Sequence, residues 1–142
     1  MARRVECIQG KKIEILDIQL KIYKMKTNKI VYWISTGLLS LLLLFSASMY
    51  FMNTDGIREI FVGLGYNGRI VIPLGVLKIL AVIAITSNKS KMLKEWAYFG
   101  LLIDFVLAFE AHTSAQDGEF GGALVALILW TVSYIFNKRI YA

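Results

Sequence analysis

The feature that most limits how this chain can fold is a run of 23 residues without a charge, from Ile30 to Met52. An α-helix needs about 20 apolar residues to cross the hydrocarbon core of a bilayer. Tyr32 and Trp33 lie at one end of the run and Tyr50 at the other. Aromatic rings of this kind prefer the two interfaces between membrane and water. The run therefore predicts a transmembrane helix.

Three more apolar runs follow the first, and each of them lies between charged residues or turn residues. Together the runs predict helices at about 30–52, 69–87, 94–113 and 120–137. A content of 57% apolar residues and a single proline in 142 residues agrees with a polytopic membrane protein that has no separate catalytic domain. The sequence thus predicts an all-α fold, a bundle of four transmembrane helices in one domain, residues 30–137.

The connection between the first two predicted spans has a pattern of its own. Ile57, Ile60, Phe61 and Leu64 follow the i, i+3, i+4, i+7 spacing of one helical face. Asp55 stands near the start of this segment, where a helix dipole favours an anion. The pattern predicts a short interfacial helix between helices 1 and 2, lying on the membrane surface.

Residues 1–29 form a basic segment, with eight Lys or Arg against three acids. Its apolar residues between Ile13 and Ile22 mostly alternate, which is a strand-like period. An apolar stretch followed by a small-residue cleavage site is missing, so the segment is not predicted to be a secretory signal peptide. Met25 directly precedes the first apolar run. We therefore expect residues 1–24 to be an upstream extension, and residues 1–29 to have no fold of their own. The alternative is that this basic segment binds the lipid surface.

The basic residues are divided unevenly among the connections. The N-terminal segment, the loop at 87–95 and the tail at 138–142 hold thirteen of the sixteen Lys and Arg, whereas the connections at 53–69 and 112–120 hold two. Cytoplasmic connections of membrane proteins carry an excess of Lys and Arg. We therefore expect both termini to be cytoplasmic. Because the charges stand at the ends of apolar runs, the net charge of +6 favours contact with membrane lipids. We expect no binding of nucleic acid.

Two charged residues lie inside predicted spans, Lys78 in the second and Asp104 in the third. Consecutive spans are antiparallel, and each residue is eight positions from the outer end of its helix, about 12 Å deep. An isolated charge there costs ~2.5–3.5 kcal/mol on insertion scales, and a hydrogen-bonded pair offsets much of that cost. The pair either locks two helices together or lines a polar cavity that binds a ligand or passes a proton. The sequence leaves both interpretations open.

His112 and Glu110 stand near the outer end of the third predicted span. His112 is about 80° around the helix from Asp104, close enough to face the same cavity mouth, whereas Glu110 points about 200° away from His112. A lone histidine near Asp117 indicates a hydrogen-bonded helix end more than a metal ligand. With one histidine and one cysteine, Cys7, the sequence predicts no metal site, no thiol relay and no catalytic residues.

From Tyr32 onward the chain resembles the DoxX-like family of small four-helix integral membrane proteins. The resemblance is carried by short stretches in a fixed order: Leu64-Gly65-Tyr66, Pro73 to Leu80, Leu93 to Tyr98, Gly100, Asp104, His112 and Asp117-Gly118. The chain departs from the family pattern in its N-terminal extension, in Asn67 and in Glu110. The resemblance therefore gives Glu110 no role.

The resemblance implies a bacterial inner-membrane protein with a role close to redox chemistry. Some members of the family are linked to thiosulfate–quinone oxidoreduction, to maturation of an amine dehydrogenase or to oxidative stress. By position, the resemblance implies a polar site of Lys78, Asp104 and His112 with Tyr66 at its outer edge. A quinone is the cofactor it suggests, and a redox enzyme is the protein partner it suggests. Apart from the resemblance, we expect contact with membrane lipids, and the sequence leaves open whether a second copy of the chain is a partner.

Three functions fit the candidate site of Lys78, Asp104, His112, Tyr66 and Glu110. The first is a redox-linked accessory subunit that binds a quinone- or lipid-like ligand, in which Lys78 donates to a carbonyl, Asp104 keeps Lys78 charged and His112 exchanges protons at the mouth. The second is a small-solute or proton-coupled transporter that uses the same charges. The third is a purely structural scaffold.

Overall fold

The computed structural model describes residues 2–116, 118 and 120–141, with side chains from Ile8 onward. These residues form five α-helices and one 3-10 turn, and they contain no strand. The helices are α1 (Ala2–Met52), α2 (Thr54–Gly63), α3 (Val71–Ser87), α4 (Lys91–Ala115) and α5 (Phe120–Tyr141), and the 3-10 turn, Gly68–Ile70, leads directly into α3.

The four long helices pack side by side in the cyclic order α1, α3, α4, α5, so that each contacts two neighbours. Apolar side chains from all four helices meet between them in a buried core. Its members include Leu39 and Leu43 of α1, Ile85 of α3, Leu101 and Phe105 of α4, and Ala126 of α5. Short connections make consecutive long helices antiparallel, so α3 and α4 run side by side in opposite directions.

The surface of this bundle is apolar as well. Large side chains such as Leu41, Phe45, Leu77, Ile83 and Ile128 are exposed. Within the described residues, three helical segments are long and apolar enough to cross a membrane: one in Ile8–Met52, Gly68–Ser87, and Phe120–Tyr141. Lipid cannot hydrogen-bond an exposed backbone, and a helix satisfies its backbone groups internally. Apolar side chains on all sides of such a helix suit contact with lipid. The prediction of an all-α fold with helices able to cross a membrane is confirmed, with three such segments among the described residues.

The N-terminal segment differs from the strand-like alternation of its sequence. Its residues continue α1 without a break from Ala2, and the side chains from Ile8 to Thr27 are exposed. A strand needs a neighbour for its backbone hydrogen bonds, whereas a helix satisfies them internally. Extending an existing helix also costs far less than nucleating a new one. The helix of the first apolar run therefore continues towards the N-terminus. The alternation of apolar residues does not indicate a strand here.

The helix expected between the first two spans is present as α2. Ile57, Phe61 and Leu64 are half-buried on its inner side, and Ile60 is exposed. The Phe61 ring packs edge-on against Tyr50 of α1, with ring centroids 5.7 Å apart. This contact attaches α2 to the end of the bundle.

The last two long helices extend beyond their predicted bounds. Ser90 caps α4, since its side chain accepts a hydrogen bond from the Leu93 backbone N–H at 3.3 Å, and the helix therefore starts at Lys91. It ends at Ala115, and the next residue, Gln116, has the left-handed backbone conformation common after helix ends. The α5 helix continues to Tyr141 through most of the expected tail.

Gly75 of α3 packs against side chains of α1. A Cβ atom added there would lie 3.1 Å from the Phe51 Cζ and 3.5 Å from the Tyr50 Cβ, whereas one added at the exposed Gly37 of α1 would meet nothing within 4 Å. Both substitutions to alanine gain helix propensity, up to about 1 kcal/mol. Only Gly75→Ala crowds a neighbouring helix, which costs about 1–3 kcal/mol.

We therefore expect Gly37→Ala to raise the thermal stability of the detergent-solubilised protein, and Gly75→Ala to be less stable than Gly37→Ala by about 1 kcal/mol or more. Thermal unfolding followed by circular dichroism measures both variants under one condition. An equal gain in stability for the two would show that α1 and α3 do not pack closely at Gly75.

Candidate functional site

The antiparallel packing of α3 and α4 brings into contact the two charges that the sequence places inside predicted spans. The Lys78 ammonium donates a hydrogen bond to the Asp104 carboxylate and forms an ion pair with it. The side chain of Lys78 is 8% exposed and that of Asp104 is 18% exposed. The equal depths deduced from the sequence thus correspond to a direct contact.

Aromatic rings surround the ammonium of Lys78. The Lys78 Nζ lies 5.6 Å from the centre of the Tyr50 ring and 5.9 Å from that of Phe105. Both distances are within the range of cation–π attraction. Among the described residues, Asp104 is the only hydrogen-bond acceptor of Lys78. An ammonium has three donors, so Lys78 has donor capacity left for a ligand.

Two cavities border this ion pair, and two of the other three predicted residues line the first. This His112 cavity has a volume of about 240 Å³. Lys78 and Asp104 line one part of it, and Tyr66 and His112 line another. Phe61 of α2 also lines it, with its ring 6.3 Å from that of Tyr66. The structure therefore brings four of the five predicted residues around one space.

Glu110 is the predicted residue that the structure leaves apart. It is exposed on α4, where it accepts a hydrogen bond from the Ser114 hydroxyl at 3.0 Å. It is not among the residues that line the His112 cavity. Its angular separation from His112 on one helix accounts for this placement. Asp117, which the sequence places near His112, lies outside the described residues.

The second space, the Trp96 cavity, lies between α3 and α4 on the other side of the ion pair. Its volume is about 330 Å³, and it reaches Trp96 at the far end. Leu74, Lys78, Gly100 and Asp104 line both cavities. A Cβ atom added at Gly100 would meet nothing within 4 Å, so this glycine leaves open space where the cavities meet. The ion pair thus stands between two cavities that extend in opposite directions along α3 and α4.

A second buried lysine was not predicted as a site residue. Lys94 was counted with the charges of a loop, yet it is 4% exposed. Its ammonium donates to the Tyr32 hydroxyl at 3.0 Å, to the Asn137 side-chain oxygen at 2.9 Å and to the Asn88 side-chain oxygen. Its Nζ also lies 4.5 Å from the centre of the Tyr141 ring. Three neutral acceptors match its three donors, so Lys94 joins α1, α4, α5 and the loop before α4.

A chain of hydroxyl groups next to Lys94 links the same helices. The Ser133 hydroxyl is hydrogen-bonded to the Thr36 hydroxyl at 2.6 Å and to the Tyr98 hydroxyl at 2.7 Å. All three side chains are buried. Polar side chains that pair across helices in this way stabilise membrane bundles. These contacts link helices, and neither Lys94 nor the three hydroxyl groups line the His112 or the Trp96 cavity, which the ion pair between α3 and α4 borders.

Removing one charge of the pair should be more damaging than replacing both. We expect Lys78→Ala and Asp104→Ala each to destabilise the protein by about 3–5 kcal/mol, because each leaves an unpaired charge in an apolar surrounding. The double variant Lys78→Met/Asp104→Leu should retain most of the stability. Thermal unfolding in detergent measures all three. Mild, additive effects of the single changes would show that the two charges do not interact.

Comparison with known families assigns the chain. A model described as the DoxX-like family matches residues 34–136, whereas comparisons with curated proteins and with solved structures give no match. The matched range is most of the chain, and it contains α2, α3, α4 and both cavities. The resemblance found in the sequence is confirmed: the chain belongs to the DoxX-like family and is a membrane protein.

Proposed function

We propose that all four long helices cross the membrane, with α4 as the third span and α2 lying on the membrane surface. The α4 helix has 25 residues, about 37 Å at 1.5 Å per residue, which exceeds the hydrocarbon thickness of a bilayer. It packs between α3 and α5, both of which are apolar enough to span. Its central charge, Asp104, is paired with Lys78. The uneven distribution of Lys and Arg supports a cytoplasmic position for both termini. The family resemblance supports a bacterial inner membrane as the location.

This topology can be tested by cysteine labelling from outside the cell. In a Cys7→Ser background, we expect Lys89→Cys to react with an impermeant maleimide only after permeabilisation, and Gln116→Cys to react in intact cells. Both positions are exposed in connections at opposite ends of α4, and neither takes part in the contacts of Lys94 or Lys78. The reverse labelling pattern would invert the topology.

We propose further that the protein is a redox-linked accessory subunit that binds a small amphiphile, quinone- or lipid-like, in the His112 cavity. The observation that carries this proposal is the position of a buried, incompletely hydrogen-bonded lysine in the wall of a cavity. Lys78 would donate to a carbonyl or phosphate oxygen of the ligand, and Asp104 would keep Lys78 charged. His112 would exchange protons at the mouth, with Tyr66 beside it.

The size of the cavity limits what it can hold. A volume of about 240 Å³ is below the ~300–1,000 Å³ typical of sites that enclose a whole drug-sized ligand. A head group with polar oxygens fits this space better than a complete lipid or long-tailed quinone. The tail would lie in the adjoining Trp96 cavity or in the bilayer. A redox enzyme that supplies or consumes electrons at the head group would be the partner of such a subunit.

Gly100 offers a direct test, because a larger side chain there fills the junction of the two cavities while Lys78 and Asp104 themselves stay unchanged. We expect a short-tailed benzoquinone to bind the purified protein saturably, and Gly100→Leu to weaken its binding at least about tenfold, or 1.4 kcal/mol. Gly37→Leu is the matched control, since Gly37 is also an exposed helical glycine with open space around it. Quenching of tryptophan fluorescence reports binding.

The same titration separates the alternatives. Non-saturable quenching that is equal in the wild type, Gly100→Leu and Gly37→Leu would contradict the quinone proposal. If the transport test described next is negative as well, the ion pair has a structural role only.

A transport function is the second candidate, because the His112 and Trp96 cavities approach one ion pair from opposite ends of α3 and α4. Such an arrangement would pass a proton or small solute if the pair opened. We expect a transporter of this kind to acidify vesicles that contain a pH-sensitive dye, and Asp104→Asn to abolish the flux. Vesicles with wild-type protein that behave like protein-free vesicles would exclude proton transport.

A further inference from the structure

A third cavity lies on a different face of the bundle, between α4 and α5. This aromatic groove has a volume of about 500 Å³. Its walls are Glu95, Trp96, Tyr98, Phe99, Trp130 and Tyr134, with Leu102 deeper along α4. Trp96 also borders the Trp96 cavity, but Lys78 and Asp104 do not line the aromatic groove. It is thus separate from the site proposed above.

The rings of the groove are held in place by contacts among themselves. The Trp130 and Tyr134 rings are stacked, with centroids 5.2 Å apart and planes 12° apart. The Trp130 indole N–H donates to the Tyr98 carbonyl oxygen at 2.8 Å. The Tyr134 hydroxyl donates to the Glu95 carboxylate at 3.2 Å. Because these rings are fixed without a ligand, binding costs little ordering of side chains.

The mouth of the groove carries one charge of each sign. Lys138 of α5 forms an ion pair with Glu95 of α4 at 2.9 Å, and its ammonium lies 5.4 Å from the centre of the Tyr134 ring. The two side chains are 46% and 39% exposed. An ion pair this exposed contributes little to stability, so both partners can turn to charges of a ligand at small cost.

We infer that the aromatic groove binds a zwitterionic phospholipid, with phosphatidylethanolamine as the natural example in a bacterial membrane. The lipid phosphate would meet Lys138, and its ammonium would meet Glu95 and the Trp130 ring. The acyl chain would lie along Phe99 and Leu102. An anionic lipid such as phosphatidylglycerol offers no cation to Glu95, whose carboxylate would face the lipid phosphate instead.

Competition between two lipids tests this inference. The protein is reconstituted with equal amounts of phosphatidylethanolamine and phosphatidylglycerol, extracted in mild detergent, and its bound lipids are counted by native mass spectrometry. We expect the wild type to retain phosphatidylethanolamine over phosphatidylglycerol by about tenfold, and Glu95→Gln to reduce this ratio to near one. Asp55→Asn is the matched control, because Asp55 also forms an exposed ion pair, with Arg58 at 3.3 Å, outside the groove.

Three results would overturn the inference: equal retention of both lipids by the wild type, preference for phosphatidylglycerol, or a preference that Glu95→Gln leaves unchanged. A loss of preference in Asp55→Asn would also overturn it, since the selectivity would then not belong to the groove. Should Glu95→Gln fail to fold, Lys138→Gln takes its place, because it removes the proposed phosphate contact at a half-exposed position. Both lipids carry that phosphate, so this variant is expected to retain less of each while still preferring phosphatidylethanolamine through Glu95. Unchanged retention of both lipids by Lys138→Gln would overturn the inference.

Discussion

The ion pair between Lys78 and Asp104 constrains the whole bundle. Each charge alone would be costly inside a bilayer, so α3 and α4 are stable together only at the depth and rotation that bring the two side chains into contact. A shift by one helical turn, about 5.4 Å, would separate them. Tyr50 and Phe105 add aromatic faces around the ammonium, so α1 packs onto the same point. The pair thereby sets the register of three helices.

Stability alone does not explain why charges occupy this position. An apolar pair of similar volume packs at least as stably as most buried ion pairs. The surroundings are also not those of a sealed contact, because Gly100 leaves open space beside the pair and the two cavities meet there. Lys94 provides a contrast within the same protein, since its three donors all have acceptors from the chain. Lys78, by contrast, has one acceptor among the described residues, and this difference is the basis for proposing a ligand there.

Sequence patterns predicted those features that depend on helix geometry alone. A fixed rise per residue was enough to place Lys78 opposite Asp104, and the angular separation of Glu110 from His112 accounts for the exclusion of Glu110 from the cavity. The acceptors of Lys94 could not be found in this way, because they lie on different helices and in a loop, and only tertiary packing brings them together. Tyr66 came from the family resemblance, since no spacing rule places a turn residue at a cavity.

If the ion pair lines a ligand site, the ligand should be found among the small molecules that remain bound after purification. Wild-type protein and Gly100→Leu are extracted from native membranes in parallel and analysed by mass spectrometry after organic extraction. We expect a quinone- or lipid-like amphiphile that the wild type retains and Gly100→Leu loses, in addition to lipids common to both. Identical sets of bound molecules in the two samples would contradict it.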